Sequence, residues 1–198
     1  MIPDPNNRNA LLIVDVQEAF RLMDAEGAVP SNPDALENIR RILDSYRQAS
    51  QQIIHVRHFS RNSESKFRPD KPGYQVMPEA QELPSEPVIV KRENSAFIGT
   101  ELEAFLREHE LTSLTIVGAT INHCVETTAR MAANLGFRVT LVSDATWTYG
   151  LTEPDGTVFP AKLIHAVSLA NLRGEFADIR LTQDILTTLK AFRPDLNV

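Results

Sequence analysis

The chain has 198 residues, 42% of them hydrophobic, a formal net charge of −6 and a single cysteine. That length suits one domain, 1–198, able to bury about 70% of its extended surface without disulfide or metal staples. The acidic balance argues against nucleic acid or an anionic membrane as partner, the lone cysteine points to a reducing, cytoplasmic setting, and no apolar run approaches the ~20 residues of a membrane span. The opening MIPDPNNRNA also lacks the charged-then-apolar layout of a signal peptide, and Asp4, Asn6 and Asn7 read as a polar arm.

Residues 10–14 (ALLIV) form an apolar run without polar alternation, as expected of a strand covered on both faces. Asn32-Pro33 reads as an N-cap and first helical position, and Leu36, Ile39, Leu43 and Tyr46 mark one helix face as far as Ser50. Strands follow at 52–56 (QIIHV) and 87–90 (PVIV). Thr100 to Glu103 has capping-box spacing ahead of Leu102, Phe105 and Leu106. A fourth strand at 114–117 leads to a helix over 123–135 that Gly136 ends, and a fifth strand covers 137–142. Residues 161–172 are apolar on most faces and predict a buried helix. A sixth strand at 177–181 and an amphipathic helix at 184–192 complete the chain.

Alternation of strand and helix calls for an α/β fold with a mostly parallel sheet and helices on both faces. Two stretches break the rhythm. Residues 59–86 hold Pro69, Pro72, Pro78 and Pro84, and residues 146–160 hold Trp147, Tyr149, Gly150, Pro154 and Gly156. Loops of this length serve as lids, binding loops or oligomer contacts.

Asp15 directly follows the first strand, Lys91 the third, and Cys124 begins the helix after the fourth. The carboxyl ends of parallel strands form the ligand crevice, so an acid, a cation and a thiol reach one rim. Taken singly, a cysteine is most often a small buried hydrophobe, an Asp at a strand end a turn residue, and a Lys there a solvated one. Their shared rim makes a nucleophilic thiol the stronger reading. A helix N-terminus and Lys91 are expected to make that thiol more acidic and open to alkylation near neutral pH, with Asp15 pulling the other way.

The runs LLIVDVQEAF (11–20), VIVKRENSAFIGTELEAFL (88–106), VGATINHCVETTAR (117–130) and FPAKLIHAVSLANLRGEFADI (159–179) closely resemble the isochorismatase-like cysteine hydrolases. The resemblance implies a Rossmann-like three-layer α/β/α sandwich with six strands, commonly a homodimer or homotetramer. It also implies hydrolysis of a C–N bond in a small amide, ureide or carbamoyl substrate through a thioester-type intermediate. The family's triad maps onto Asp15, Lys91 and Cys124, and its non-proline cis peptide onto Ala119–Thr120, with the Thr120 and Cys124 backbone N–H groups as the oxyanion hole.

Phe20, Trp147 and Tyr149 are candidate pocket walls, and Arg57 and His58 candidate ligands for a substrate carboxylate. His123 ranks below Asp15 as the base, because neighbouring helix residues point about 100° apart. Nicotinamidases in the family bind a metal through an Asp-x-His element. Here that stretch reads His55-Val56-Arg57-His58, with its histidines on opposite strand faces, so neither metal nor cofactor is expected. His109 and His165 read as ordinary helix residues. Three rival readings are a vinyl-ether hydrolase, which needs no thiol, a non-catalytic oligomeric binding protein, which would not need the triad, and a dinucleotide binder. The last lacks a G-x-G-x-x-G after its first strand.

Overall fold

The computed structural model describes residues 8–191, so the readings on Asp4, Asn6, Asn7 and Phe192 lie outside the described residues. Six strands build one sheet: β1 (Asn9–Val14), β2 (Gln52–His58), β3 (Val88–Lys91), β4 (Ser113–Ala119), β5 (Arg138–Trp147) and β8 (Asp178–Arg180). Their order is β3-β2-β1-β4-β5-β8, and every neighbouring pair is parallel. The chain reverses its direction of travel across the sheet beside β1 and β4, which places the crevice at their carboxyl ends.

Each sheet face has its own core. Ala10, Leu12 and Val14 of β1 pack with α3 (Leu102–Glu108), α4 (Glu126–Asn134) and α5 (Ala161–Leu172). The alternate residues Leu11 and Ile13 pack with α1 (Glu18–Ala25), α2 (Ala35–Gln48) and α6 (Thr182–Ala191). Side chains on a strand point alternately to the two faces, so a strand between two helix layers must be apolar throughout. The sandwich is the geometric consequence. No helix among the described residues is long and apolar enough to cross a membrane.

Several local readings change. Asn32 does not cap α2: its side-chain amide donates to the Ser143 and Thr146 carbonyls, tying the chain to β5, and the helix starts later, at Ala35. Thr100 does not close a capping box either, since Glu101 occupies the cap and the Thr100 hydroxyl donates to the Ala96 carbonyl. Helix α1 is an addition, as is the short antiparallel ribbon of β6 (Leu151–Thr152) and β7 (Val158–Phe159). β5 resumes pairing with β4 after an irregularity, so Trp147 ends the strand instead of following it. Helix α5 is not buried as expected: only His165, Ser168 and Leu172 turn fully inward, while Leu163 and Val167 are each 49% exposed. It lies on the outside of its layer.

Two positions hold this frame together. Gly118 pairs with Val14 and has φ +118°, and a Cβ there would stand 2.0 Å from the Val14 carbonyl oxygen. Below the sheet, the Glu86 carboxylate binds the Arg47 guanidinium through both oxygens, at 2.8 Å each, and meets His55 Nε2 at 2.9 Å.

Gly118→Ala is therefore expected to destabilise the fold by about 3 kcal/mol or more, a Tm fall on the order of 10 °C by thermal melting. Burial alone would raise the Glu86 carboxyl, but Arg47, the Leu83 N–H and His55 together hold it at about 2. A carboxyl lowered on folding contributes stability above its unfolded pKa, which drains away as pH falls from about 4.5 toward about 2. Urea titrations across that window should show a shallower slope for Glu86→Gln, and a stability loss on the order of 2 kcal/mol at pH 7.

Candidate active site

Asp15, Lys91 and Cys124 meet at the carboxyl ends of β1, β3 and β4. Asp15 is the first residue beyond β1 and takes a left-handed conformation, φ 54°, with its N–H donating to the Val56 carbonyl at 2.9 Å. That kink turns the carboxylate across the strand ends. Lys91 is the last residue of β3 and is fully buried. Cys124 lies in a wide turn, Ile121–Val125, that joins β4 to α4. The turn follows the Ala119–Thr120 peptide, which is cis.

The Lys91 ammonium is the hub. Its Nζ stands 2.8 Å from Asp15 Oδ2, 3.1 Å from Cys124 Sγ, 3.1 Å from the Glu93 carbonyl and 3.3 Å from His58 Nδ1. An ammonium has three N–H donors for these four partners, so the cluster is fully subscribed around it. The other Asp15 oxygen, Oδ1, is buried without a hydrogen-bond partner among the described residues. A carboxylate oxygen of Asp15, a His58 ring nitrogen and Cys124 Sγ all lie within 4.8 Å of one another.

Charge follows from this geometry. Burial alone would push the Lys91 ammonium down, but Asp15 and then Cys124 outweigh it and hold the pKa above the ordinary value. The Cys124 thiol goes the other way from expectation. Burial first, then the Asp15 carboxylate, push it up to about 12 against the pull of Lys91. The resting group is a thiol, not a thiolate, because the low-dielectric site carries one fixed anion already. Burial and then Lys91 also hold His58 below its usual value, so the ring is neutral. Its Nδ1 faces the ammonium as acceptor, which leaves the ring proton on Nε2.

A cation at the convergence of Asp15, His58 and Cys124 is what a thiophilic metal would supply, but the Lys91 ammonium holds that place. His55, the other histidine of β2, is engaged by Glu86. These residues do not fit a resident metal.

Four of the sequence-derived positions find different surroundings. Arg57 points away from His58 on the strand and its guanidinium is taken by Glu82 at 2.7 Å, so it is not brought to the thiol. Phe20, Trp147 and Tyr149 are core residues, 6%, 3% and 8% exposed, packed edge-on or stacked on one another, with the Tyr149 hydroxyl donating to Asp24. Phe67, from the irregular 59–86 stretch, links them to the site: it meets Phe20 at 5.1 Å and the His58 ring at 5.6 Å, both edge to face. His123 is exposed.

Sequence reading missed Phe67 and Gln17. The Gln17 side chain accepts from the His58 N–H at 2.8 Å and donates to the His58 and Tyr74 carbonyls, finishing β2 as a neighbouring strand would. Its spacing from Asp15 was visible. Its partner was not, because Tyr74 sits in a stretch without periodicity.

A thiol held up by Asp15 has a testable signature. Iodoacetamide modification of Cys124, followed by intact mass, should be slow at pH 7 and accelerate steadily to pH 10 and beyond. Asp15→Asn removes the opposing charge and leaves Lys91, so its thiol should alkylate at least tenfold faster at pH 7. An unchanged rate would contradict the electrostatic coupling of the two groups.

The Isochorismatase domain family model matches residues 9–184. The isochorismatase family protein YrdC of Bacillus subtilis is 41% identical over 179 residues, covering 90% of this chain and 95% of that one. A streptothricin hydrolase of Streptomyces noursei is 34% identical over 142 residues, 72% of this chain but 50% of its own length. A crystal structure of an isochorismatase-family protein from Chromobacterium violaceum superposes with a TM-score of 0.89 at 38% identity, covering 95% of this chain and 96% of that one. With the fold, the strand-end cluster and a family match across nearly all of the described residues in agreement, this chain belongs to the isochorismatase family of hydrolases.

Proposed function

We propose that the chain is a cysteine hydrolase that cleaves the C–N bond of a small amide, ureide or carbamoyl compound, with Cys124 as nucleophile. The observation that carries this reading is a half-buried, protonated thiol within 4.8 Å of the Asp15 carboxylate, whose Oδ1 is buried without a hydrogen-bond partner among the described residues. A thiol that ionises only near pH 12 needs its proton removed as it attacks, and Asp15 is the base within reach.

Sγ adds to the carbonyl carbon while its proton passes to Asp15 Oδ1. The carbonyl π electrons move to oxygen, and the backbone N–H groups of Thr120 and Cys124 hold that oxyanion. Asp15 returns the proton to the leaving nitrogen, the C–N bond breaks, and a thioester remains on Cys124. A water molecule then gives its proton to Asp15 and attacks the thioester, and Sγ leaves with that proton as the acid product forms. Lys91 stays charged throughout. It holds Asp15 through Oδ2 and lowers the energy of negative charge on sulfur.

The neutral His58 ring, with its proton on Nε2, suits a hydrogen bond to a substrate carbonyl better than a salt bridge to a carboxylate. With Arg57 engaged by Glu82, neutral amides and ureides fit the site better than carboxylate-bearing ones. The hydrolase activity named for the Streptomyces noursei relative supports hydrolysis as the reaction class.

Ammonia release should be measured across neutral amides, biuret, N-carbamoyl amino acids, maleamate and ureidoacrylate. Cys124→Ala and Asp15→Asn are each expected to reduce kcat by about 10³-fold or more, and the double variant no further, because the two act as one unit. Substantial turnover by Cys124→Ala on a confirmed substrate would rule out covalent catalysis.

A further inference from the structure

Asn94 stands on the open side of the thiol. Its Oδ1 lies 4.0 Å from Cys124 Sγ, at the outer limit of contact for sulfur. The residue is exposed, whereas Cys124 is half-buried and Lys91 fully buried. The backbone on either side of it is fixed. The Glu93 carbonyl accepts from Lys91 Nζ at 3.1 Å, and the Ala96 N–H donates at 3.0 Å to the hydroxyl of Thr128, buried in α4 one turn beyond Cys124. The neighbouring Arg92 guanidinium is engaged elsewhere, over the Phe59 ring at 4.8 Å from its centroid. The Asn94 carboxamide has no other hydrogen-bond partner among the described residues, whereas the side chains of Asn9, Asn32 and Asn38 are all held by the fold. A side chain fixed at its base, with its polar end free beside the reacting atom, is placed to meet a substrate.

We propose that Asn94 is a specificity-determining residue whose Oδ1 accepts a hydrogen bond from the leaving nitrogen. The substrate class is then one whose leaving nitrogen carries N–H, a primary carboxamide or a terminal ureide, in preference to N,N-disubstituted amides and esters. This rests on Cys124 acting as the nucleophile. A carbonyl carbon in position for attack stands about 3.5 Å from the nucleophile. Its nitrogen is about 1.3 Å further along the bond. That nitrogen can come within hydrogen-bond distance of an oxygen 4.0 Å from the same sulfur. In the proposed reaction the other groups at the thiol are committed: the Thr120 and Cys124 N–H groups to the carbonyl oxygen, Lys91 to Asp15, and Asp15 to moving protons. Asn94 Oδ1 is the neutral acceptor that remains. It holds one N–H while Asp15 delivers its proton to the lone pair of the same nitrogen. A disubstituted nitrogen or an ester oxygen has no hydrogen to offer and leaves that acceptor unmet.

Asn94→Leu keeps the volume and removes the acceptor, and at an exposed position it should leave the circular dichroism spectrum unchanged. On a primary amide that the native chain hydrolyses, Asn94→Leu should lower kcat/KM about tenfold, while the value for the methyl ester of the same acid should change by less than about twofold. A probe that needs no turnover separates this proposal from the hydrolase reading itself. Iodoacetamide and its N,N-dimethyl analogue alkylate the same thiol, and Cys124 is the only cysteine in the chain. The native chain should favour iodoacetamide about threefold or more beyond the rate ratio that the two reagents show toward glutathione, and Asn94→Leu should fall back to the glutathione ratio. Equal losses on amide and ester, or a native ratio no higher than that of glutathione, would overturn the proposal. If no amide releases ammonia, the hydrolase reading fails, and the alkylation ratio still decides whether Asn94 recognises an N–H.

Discussion

A lysine ammonium with no access to water sets the terms for the site. Stripping Lys91 of its hydration costs several kcal/mol, and the cost is tolerable only because Asp15, Glu93, His58 and Cys124 surround Nζ within 3.3 Å. Those partners come from four separate parts of the chain. The ammonium can be satisfied only when β1, β2, β3 and the turn after β4 are all in place, so the chemistry of the site and the closure of the fold are one condition.

That condition also distributes charge. One ammonium and one carboxylate balance each other, so a further anion on sulfur would leave the buried cluster with a net negative charge, and the thiol keeps its proton. His58 stays neutral because burial first, and then the neighbouring Lys91 cation, disfavour its protonation. The arrangement is poised rather than ionised: proton transfer waits for a substrate carbonyl to take up the charge.

The backbone supplies the remaining precision. The left-handed kink at Asp15, the close approach of Gly118 to Val14 and the Gln17 amide seated on the end of β2 lie within a few residues of one another at the strand ends. The kink turns the Asp15 carboxylate toward Lys91, and the Gln17 amide holds the backbone of His58. Phe67 and its aromatic neighbours wall the His58 side of the cluster.

The sequence by itself determined the layers and the reactive set. Apolar runs without alternation require cover on both faces, strand–helix alternation requires parallel pairing, and parallel pairing places Asp15, Lys91 and Cys124 on one rim. These follow from local periodicity and chain topology, which need no knowledge of contacts. Tertiary structure alone decided the ionisation of Cys124, since desolvation and the Asp15 charge act through space and exceed the local pull that the helix start and Lys91 suggest. It also decided that Arg57 serves Glu82, that Trp147 and Tyr149 are core, that Phe67 flanks His58, and that α5 shows an apolar face to solvent. Each depends on what long irregular segments pack against, and a segment without periodicity encodes its partners only through the fold it joins.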